Sequence, residues 1–217
     1  MLYLVATPIG NLSDFSFRAI ETIKECDYLL CEDTRRSRIL LNHYEIQKPL
    51  KSYHLFNESS RLLTILNDLK AGKTLGLLSD AGTPLINDPG EKIVKACIES
   101  NIEIRSIPGA TSVMTALVLS GFPCERFQFV GFLPKKGSKR KKALIEYLDY
   151  PGTTVCFESP FRLAKTLQEL GTLNSTKKVF VGREFTKKFE SHYHGLAPEL
   201  ALHFTAHPPK GEIVLIF

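Results

Sequence analysis

The stretch Ser79-Asp80-Ala81-Gly82-Thr83-Pro84-Leu85-Ile86-Asn87-Asp88-Pro89-Gly90 decides how this chain is read. It follows a short apolar run at residues 75–78 and precedes an amphipathic stretch at 90–99, so it joins a strand to a helix. Its glycines and prolines make it too irregular for either element. Asp80 and Thr83 offer hydrogen bonds, and Gly82 lets bare backbone come close to a ligand. Two more junctions have the same character. Ala6-Thr7-Pro8-Ile9-Gly10-Asn11-Leu12 follows an apolar run at 2–6, and Pro108-Gly109-Ala110-Thr111-Ser112 follows one at 102–107. In a parallel sheet the loops after the strands' carboxyl ends gather on one edge, where open α/β proteins bind ligands.

Outward from these junctions, short apolar runs alternate with helical patterns, the rhythm of a parallel sheet with crossover helices. Strands are predicted at 2–6, 28–31, 51–54, 75–78 and 102–107, and helices at 16–26, 36–44, 61–69, 90–99 and 111–120. The pattern breaks at Gly121-Phe122-Pro123. A second set of elements follows: strands at 127–132, 153–157, 178–181 and 212–217, and helices at 142–148, 161–170 and 198–202. The expectation is an α/β fold of two domains, 1–118 with a parallel sheet and 119–217 with a mixed one, joined near 118–126.

Composition narrows the function classes. Of 217 residues, 28 are Lys or Arg and 23 Asp or Glu; the resulting +5 permits an anionic partner without demanding one. Five scattered cysteines, an odd number with no C-x-x-C, suit reduced thiols in a cytosol rather than a disulfide framework or zinc site. The first apolar run is broken by Pro8 and Gly10 and reads as a strand, not a signal peptide, and no stretch approaches the roughly 20 apolar residues of a membrane span. Gly72-Lys73-Thr74 imitates the end of a P-loop, but Asn67 stands where its first glycine belongs. No G-x-G occurs, and His192-x-His194 has no ligand partners at metal spacing, so no metal is expected.

Two charged segments carry more. Cys31-Glu32-Asp33-Thr34-Arg35-Arg36 ends the second strand and is either a helix start or a carboxylate and a cation facing one cleft. Lys135, Lys136, Lys139, Arg140, Lys141 and Lys142 place six cations within eight residues beside Phe127, Phe129 and Phe132, a pattern suited to RNA phosphates.

These residues resemble the tetrapyrrole-methylase-like (class III) methyltransferases along nearly the whole chain. Within them, the chain is most similar to the bacterial branch that methylates a ribose 2′-hydroxyl. The specific pieces are Thr7 to Leu12, Glu32-Asp33-Thr34-Arg35, Ser79 to Gly90, Gly131-Phe132-Leu133-Pro134, Phe157-Glu158-Ser159-Pro160-Phe161-Arg162, Arg183-Glu184-Phe185-Thr186-Lys187 and Lys210-Gly211-Glu212. The resemblance implies S-adenosylmethionine as cofactor, held in a cleft between two domains of a cytoplasmic homodimer. The implied substrate is a decoding-region cytidine of 16S ribosomal RNA in the 30S subunit. It places Pro8, Asp80, Ala81, Gly82, Thr83, Pro84, Ile86, Thr111 and Ser112 at the cofactor, joined by Glu158, Lys210, Gly211 and Glu212, mainly through backbone. Asp33 matches a functional acid of relatives acting on tetrapyrroles and is the first candidate to take the hydroxyl proton, with Glu184 second. Arg35, Lys187 and Arg183 would hold phosphates or favour carboxylate ionisation. Relatives often continue beyond the residue that matches Phe217, so RNA contacts made by such an extension would be missing. The alternatives are a tetrapyrrole C-methyltransferase, a non-catalytic RNA-binding module and a diphthamide-type enzyme.

Overall fold

Tyr28, Leu29, Leu30 and Cys31 form a strand buried at all four positions, and so do Leu75, Gly76, Leu77 and Leu78. Unbroken apolar runs of this kind belong to parallel strands covered on both faces. The computed structural model describes all 217 residues, Met1–Phe217, as two compact units, Met1–Thr111 and Ser112–Phe217.

The first unit runs β1 (Leu2–Val5), α1 (Phe17–Glu25), β2 (Tyr28–Cys31), α2 (Thr34–His43), β3 (Leu50–Ser52), α3 (Glu58–Lys70), β4 (Leu75–Leu78), α4 (Glu91–Glu99) and β5 (Ile104–Ile107). Its sheet is parallel throughout, in the order β3-β2-β4-β1-β5. Alternation along β2 sorts the core. Leu29 and Cys31 join Ala19 and Ile23 of α1 and Leu40 and Leu41 of α2 on one face. Tyr28 and Leu30 join Ile65 and Leu69 of α3 and Ile93 and Cys97 of α4 on the other. Gly76 lets β2 and β4 lie together, since a Cβ there would fall 2.7 Å from Leu29 Cδ2. With helices on both faces, every strand's carboxyl end opens onto the same edge.

The second unit runs α5 (Ser112–Ser120), β6 (Phe127–Phe132), α6 (Gly137–Asp149), β7 (Thr153–Glu158), α7 (Leu163–Leu173), β8 (Lys178–Arg183), β9 (Ser191–Leu196), α8 (Ala197–Ala206) and β10 (Ile213–Ile216). Its sheet is mixed, in the order β6-β7-β10-β8-β9, with only β6 and β7 parallel. Leu163, Leu167 and Leu170 of α7 and Ala197, Ala201 and Phe204 of α8 close its core with Leu215 and Val181.

Three features differ from the sequence reading. The division between units falls at Thr111/Ser112, not near 118, because α5 packs on β7, β8 and β10. Strand β9 was not expected. It is an edge strand whose outward positions carry His192 and His194, so its alternation lacks an apolar face strong enough to see. Helix α6 begins at Gly137 rather than 142, because consecutive cations conceal the helical spacing of its buried Arg140, Ala143 and Leu144.

Candidate functional site

The three junctions flagged in the sequence meet on one edge of the first unit. Thr7 and Gly82 form an antiparallel bridge, Thr7 N–H donating to Gly82 O at 2.9 Å and Gly82 N–H to Thr7 O at 3.1 Å. Thr7 Oγ1 donates to Ser79 O at 3.1 Å, and Thr83 Oγ1 to Ala110 O at 3.2 Å. Gly82 has φ +86°, and a Cβ there would lie 3.2 Å from Ile9 Cγ2 and 3.5 Å from Ala110 O. Its glycine is needed for the turns to touch. Within the 79–90 loop the Ser79 hydroxyl bonds the Asp88 carboxylate, and Leu85 and Asn87 have φ of 71° and 67°. A leucine in the left-handed region is strained, and strain of this kind persists only where surrounding contacts hold it. The N-terminus of α4 is closed: Gly90 N–H donates to Glu58 Oε1 at 2.8 Å. Pro8 and Pro84 are buried, Asp80, Ala81, Thr83, Thr111 and Ser112 are half-buried, and Ile86 is exposed.

Beside this edge lies an open depression of about 530 Å³, lined by Glu32, Asp33, Thr34, Arg35, Arg36, Ser52, His54, Phe56 and Asp80. Asp33 is the N-cap of α2. Its carboxylate accepts from Arg35 N–H at 2.8 Å, Arg35 Nε at 3.0 Å and Arg35 Nη2 at 2.7 Å, and these bonds hold its pKa down at about 2. A carboxylate so committed is a poor proton acceptor near neutral pH. In this structure Asp33 and Arg35, expected at the catalytic centre, form the cap of α2 and its clamp. Asp80 Oδ1 accepts from Asp33 N–H at 3.0 Å, and its Oδ2 lies 3.7 Å from Arg36 Nε. Glu32 behaves in the opposite way. Burial, then Asp80 and Asp88, push its pKa up. Burial also raises Asp88, against the lowering effect of its bond from Ser79. The sequence reading included Glu32 in this motif but gave it no role of its own, since burial is not written in the motif.

In the second unit, the motif residues mostly satisfy one another. Glu184 N–H donates to Glu212 O at 3.0 Å, and Glu184 Oε1 accepts from Glu212 N–H at 2.8 Å and Lys187 Nζ at 3.1 Å. Lys187 also reaches Glu212 Oε2 at 2.8 Å. Desolvation pulls Glu184 upward, but its bonds from the Glu212 backbone and Lys187 prevail and its pKa is lowered. Gly211 has φ +90° and no room for a Cβ beside the Glu184 carboxylate. Arg183 ties the same turn, donating to Ser191 Oγ at 2.9 Å, Lys210 O at 3.0 Å and Phe189 O at 2.7 Å. In this structure Glu184 and Lys187, expected as catalytic candidates, lock the Lys210-Gly211-Glu212 turn, and Arg183, expected at RNA, ties it.

Arg140, expected among the RNA-facing cations, lies buried in this structure. It is 4% exposed and donates to Glu169 Oε2 at 2.6 Å, Pro134 O at 2.9 Å and Thr166 Oγ1 at 2.6 Å. Its Nη2 lies 3.7 Å from Glu158 Oε2, while Glu158 Oε1 pairs with Arg162 Nη2 at 2.6 Å. Glu158 is thus spent inside the unit and can offer a ligand only its backbone. Lys135, Lys136, Lys139, Lys141 and Lys142 are all exposed. A groove of about 330 Å³ between α6 and α7 is lined by Lys136, Lys141 and Lys165, the last absent from the sequence reading because it lies on a separate helix. No group of three or more His, Cys, Asp or Glu side chains is placed to hold a metal ion, and no helix is long and apolar enough to cross a membrane.

The family model of the Tetrapyrrole (Corrin/Porphyrin) Methylases matches residues 1–201. The chain belongs to this family. Among the tetrapyrrole methylases, it is similar to proteins named Ribosomal RNA small subunit methyltransferase I. It is 44% identical over 216 residues to that of Halalkalibacterium halodurans, covering 99% of this chain and 74% of the relative. It is 44% identical over 217 residues to that of Synechocystis sp., covering 100% and 78%. To that of Thermotoga maritima it is 41% identical over 215 residues, covering 99% and 96%. The fold is also that of solved structures of low sequence identity. Uroporphyrin III C-methyl transferase from Thermus thermophilus superposes with a TM-score of 0.69 at 17% identity, covering 99% of this chain and 96% of that one. A diphthine synthase gives 0.78 at 13%, covering 99% and 88%.

Proposed function

We propose that this chain is an S-adenosylmethionine-dependent methyltransferase of small-subunit ribosomal RNA, and that it transfers the methyl group to the ribose 2′-hydroxyl of a decoding-region cytidine. The observation that carries this reading is the locking of the three turns onto one another, Thr7 to Gly82 and Thr83 to Ala110, in a chain alike over its whole length to ribosomal RNA methyltransferases.

The residues of that edge fit such a donor. Ala81 and Ile86 present short or apolar surface, backed by the buried Pro8, Gly82 and Pro84, while the half-buried Asp80, Thr83 and Thr111 add polar groups. S-adenosylmethionine supplies a methyl group already activated by a sulfonium. The remaining work of the chain is to align the hydroxyl with that carbon and to take one proton. The exposed lysines 135, 136, 139, 141 and 142 are assigned to RNA phosphates, which position a nucleic acid without reading its sequence. The family likeness further supports a homodimer and a cytoplasmic location, which sedimentation equilibrium and cell fractionation test.

The deciding experiment supplies labelled S-adenosylmethionine and 30S particles that lack the modification. The reading expects label in 16S RNA and one alkali-resistant linkage at a decoding-region cytidine. Label on a base, or none in RNA, contradicts it.

A further inference from the structure

Resting on the reading above, we infer that Glu32 takes the proton of the acceptor hydroxyl, and that the ring of Phe56 carries the base of the same nucleotide. The four carboxylates near the loop edge are not equivalent. Asp33 is held by Arg35, Asp80 by the Asp33 amide and Arg36, and Asp88 by the Ser79 hydroxyl. Glu32, directly after β2, lines the depression and is left with its lone pairs for a ligand. The charged and titratable groups that bear on it are Asp80 and Asp88 after β4, Arg36 of α2 and His54 after β3. Burial first, and then the two acids, raise its proton affinity.

A further observation in the same depression points to a ligand. Phe56 is 97% exposed, a large apolar ring in solvent with only an edge contact to His54 at 6.0 Å. Proteins that take up unstacked nucleotides combine aromatic rings with arginines, and Arg35 and Arg36 line the same depression. The Nδ1 of His54 is buried there without a hydrogen-bond partner. The depression, about 530 Å³, lies within the roughly 300–1,000 Å³ of small-ligand pockets.

The step balances. A lone pair of the hydroxyl oxygen forms the new C–O bond as the C–S bond breaks and its electrons return to sulfur. The O–H proton passes to the Glu32 carboxylate and from there to solvent.

The test compares Glu32→Gln, Glu32→Asp, Phe56→Ala and Phe56→Tyr with the wild-type chain. S-adenosylmethionine affinity is followed by calorimetry, 30S affinity by filter binding, and kcat/KM across pH. Glu32→Gln is expected to bind S-adenosylmethionine as the wild type does, to lose at least about 100-fold in turnover, and to lose the acidic limb of the profile. Glu32→Asp should recover part of the rate and keep that limb at a shifted position. Phe56→Ala should weaken 30S binding about tenfold with S-adenosylmethionine affinity unchanged, and Phe56→Tyr should restore it. Wild-type turnover with the limb intact in Glu32→Gln, or unaltered 30S affinity in Phe56→Ala, overturns the inference. A wild-type chain that binds no S-adenosylmethionine overturns the underlying reading instead.

Discussion

The loop edge of the first unit and the charged motifs of the second are written in the same alphabet of acids, arginines, lysines and glycines, yet they do different work. Around β7 and α7 the charges close on themselves: the buried Arg140, Glu158 and Thr166 form one network with the half-buried Arg162 and Glu169. At the loop edge the turns lock through backbone and hydroxyl bonds, which leaves Phe56 and Ile86 exposed and Glu32 lining an open depression. Here the same residue types are structural where they close on one another and open to solvent where they do not.

This contrast can be broken most forcefully at Arg140. Arg140→Ala leaves Glu169 and Thr166 without their buried donor, and chemical denaturation should show a loss of about 3–5 kcal/mol. A change within measurement error would mean that the network is not structural. A smaller loss, about 1–2 kcal/mol, is expected for Lys187→Met, which removes two partly exposed bonds from the Lys210-Gly211-Glu212 turn. Its S-adenosylmethionine affinity then reports how far that turn matters to the cofactor.

Replacing lysines 135, 136, 139, 141 and 142 by glutamine should leave thermal stability nearly unchanged. RNA affinity should fall, with a flatter dependence on salt, because fewer counterions are released. Adding Arg140 to the set should destabilise the chain with little further loss of salt dependence, which sharpens the distinction between exposed and buried cations.

The smallest effect concerns pH. Asp33 has a folded pKa of about 2, below the roughly 3.9 of an unfolded aspartate, so its contribution is complete above about pH 4 and is lost as pH falls toward 2. Asp33→Asn should therefore flatten the acid-side stability profile slightly while methyl transfer persists near neutral pH. Loss of transfer in Asp33→Asn with S-adenosylmethionine binding intact would return the proton to Asp33.

Much of the fold was legible because burial and periodicity agree where strands are covered on both faces. Residues 28–31 and 75–78 are continuous apolar runs and are strands β2 and β4. The three junctions were legible because glycine and proline interrupt those runs at strand ends. Strand β9 was not, since an edge strand with histidines outward has no apolar rhythm. Within the site, the roles of adjacent carboxylates could not be separated in sequence. Asp33 and Glu32 differ in which one Arg35 folds back upon, a matter of capping geometry rather than residue type. Arg140 shows the same limit: among six neighbouring cations only its helical phase turns it inward.

The central claim is that the turn edge of the first unit holds S-adenosylmethionine, and Gly82→Val tests it most directly. At φ +86°, with Ile9 Cγ2 only 3.2 Å from where a Cβ would stand, the substitution forces the Thr7 and Ala110 turns apart. Calorimetry should show saturable binding to the wild-type chain and a loss of at least about tenfold in the variant, with its far-ultraviolet circular dichroism retained. Equal affinity in the two proteins would contradict the account.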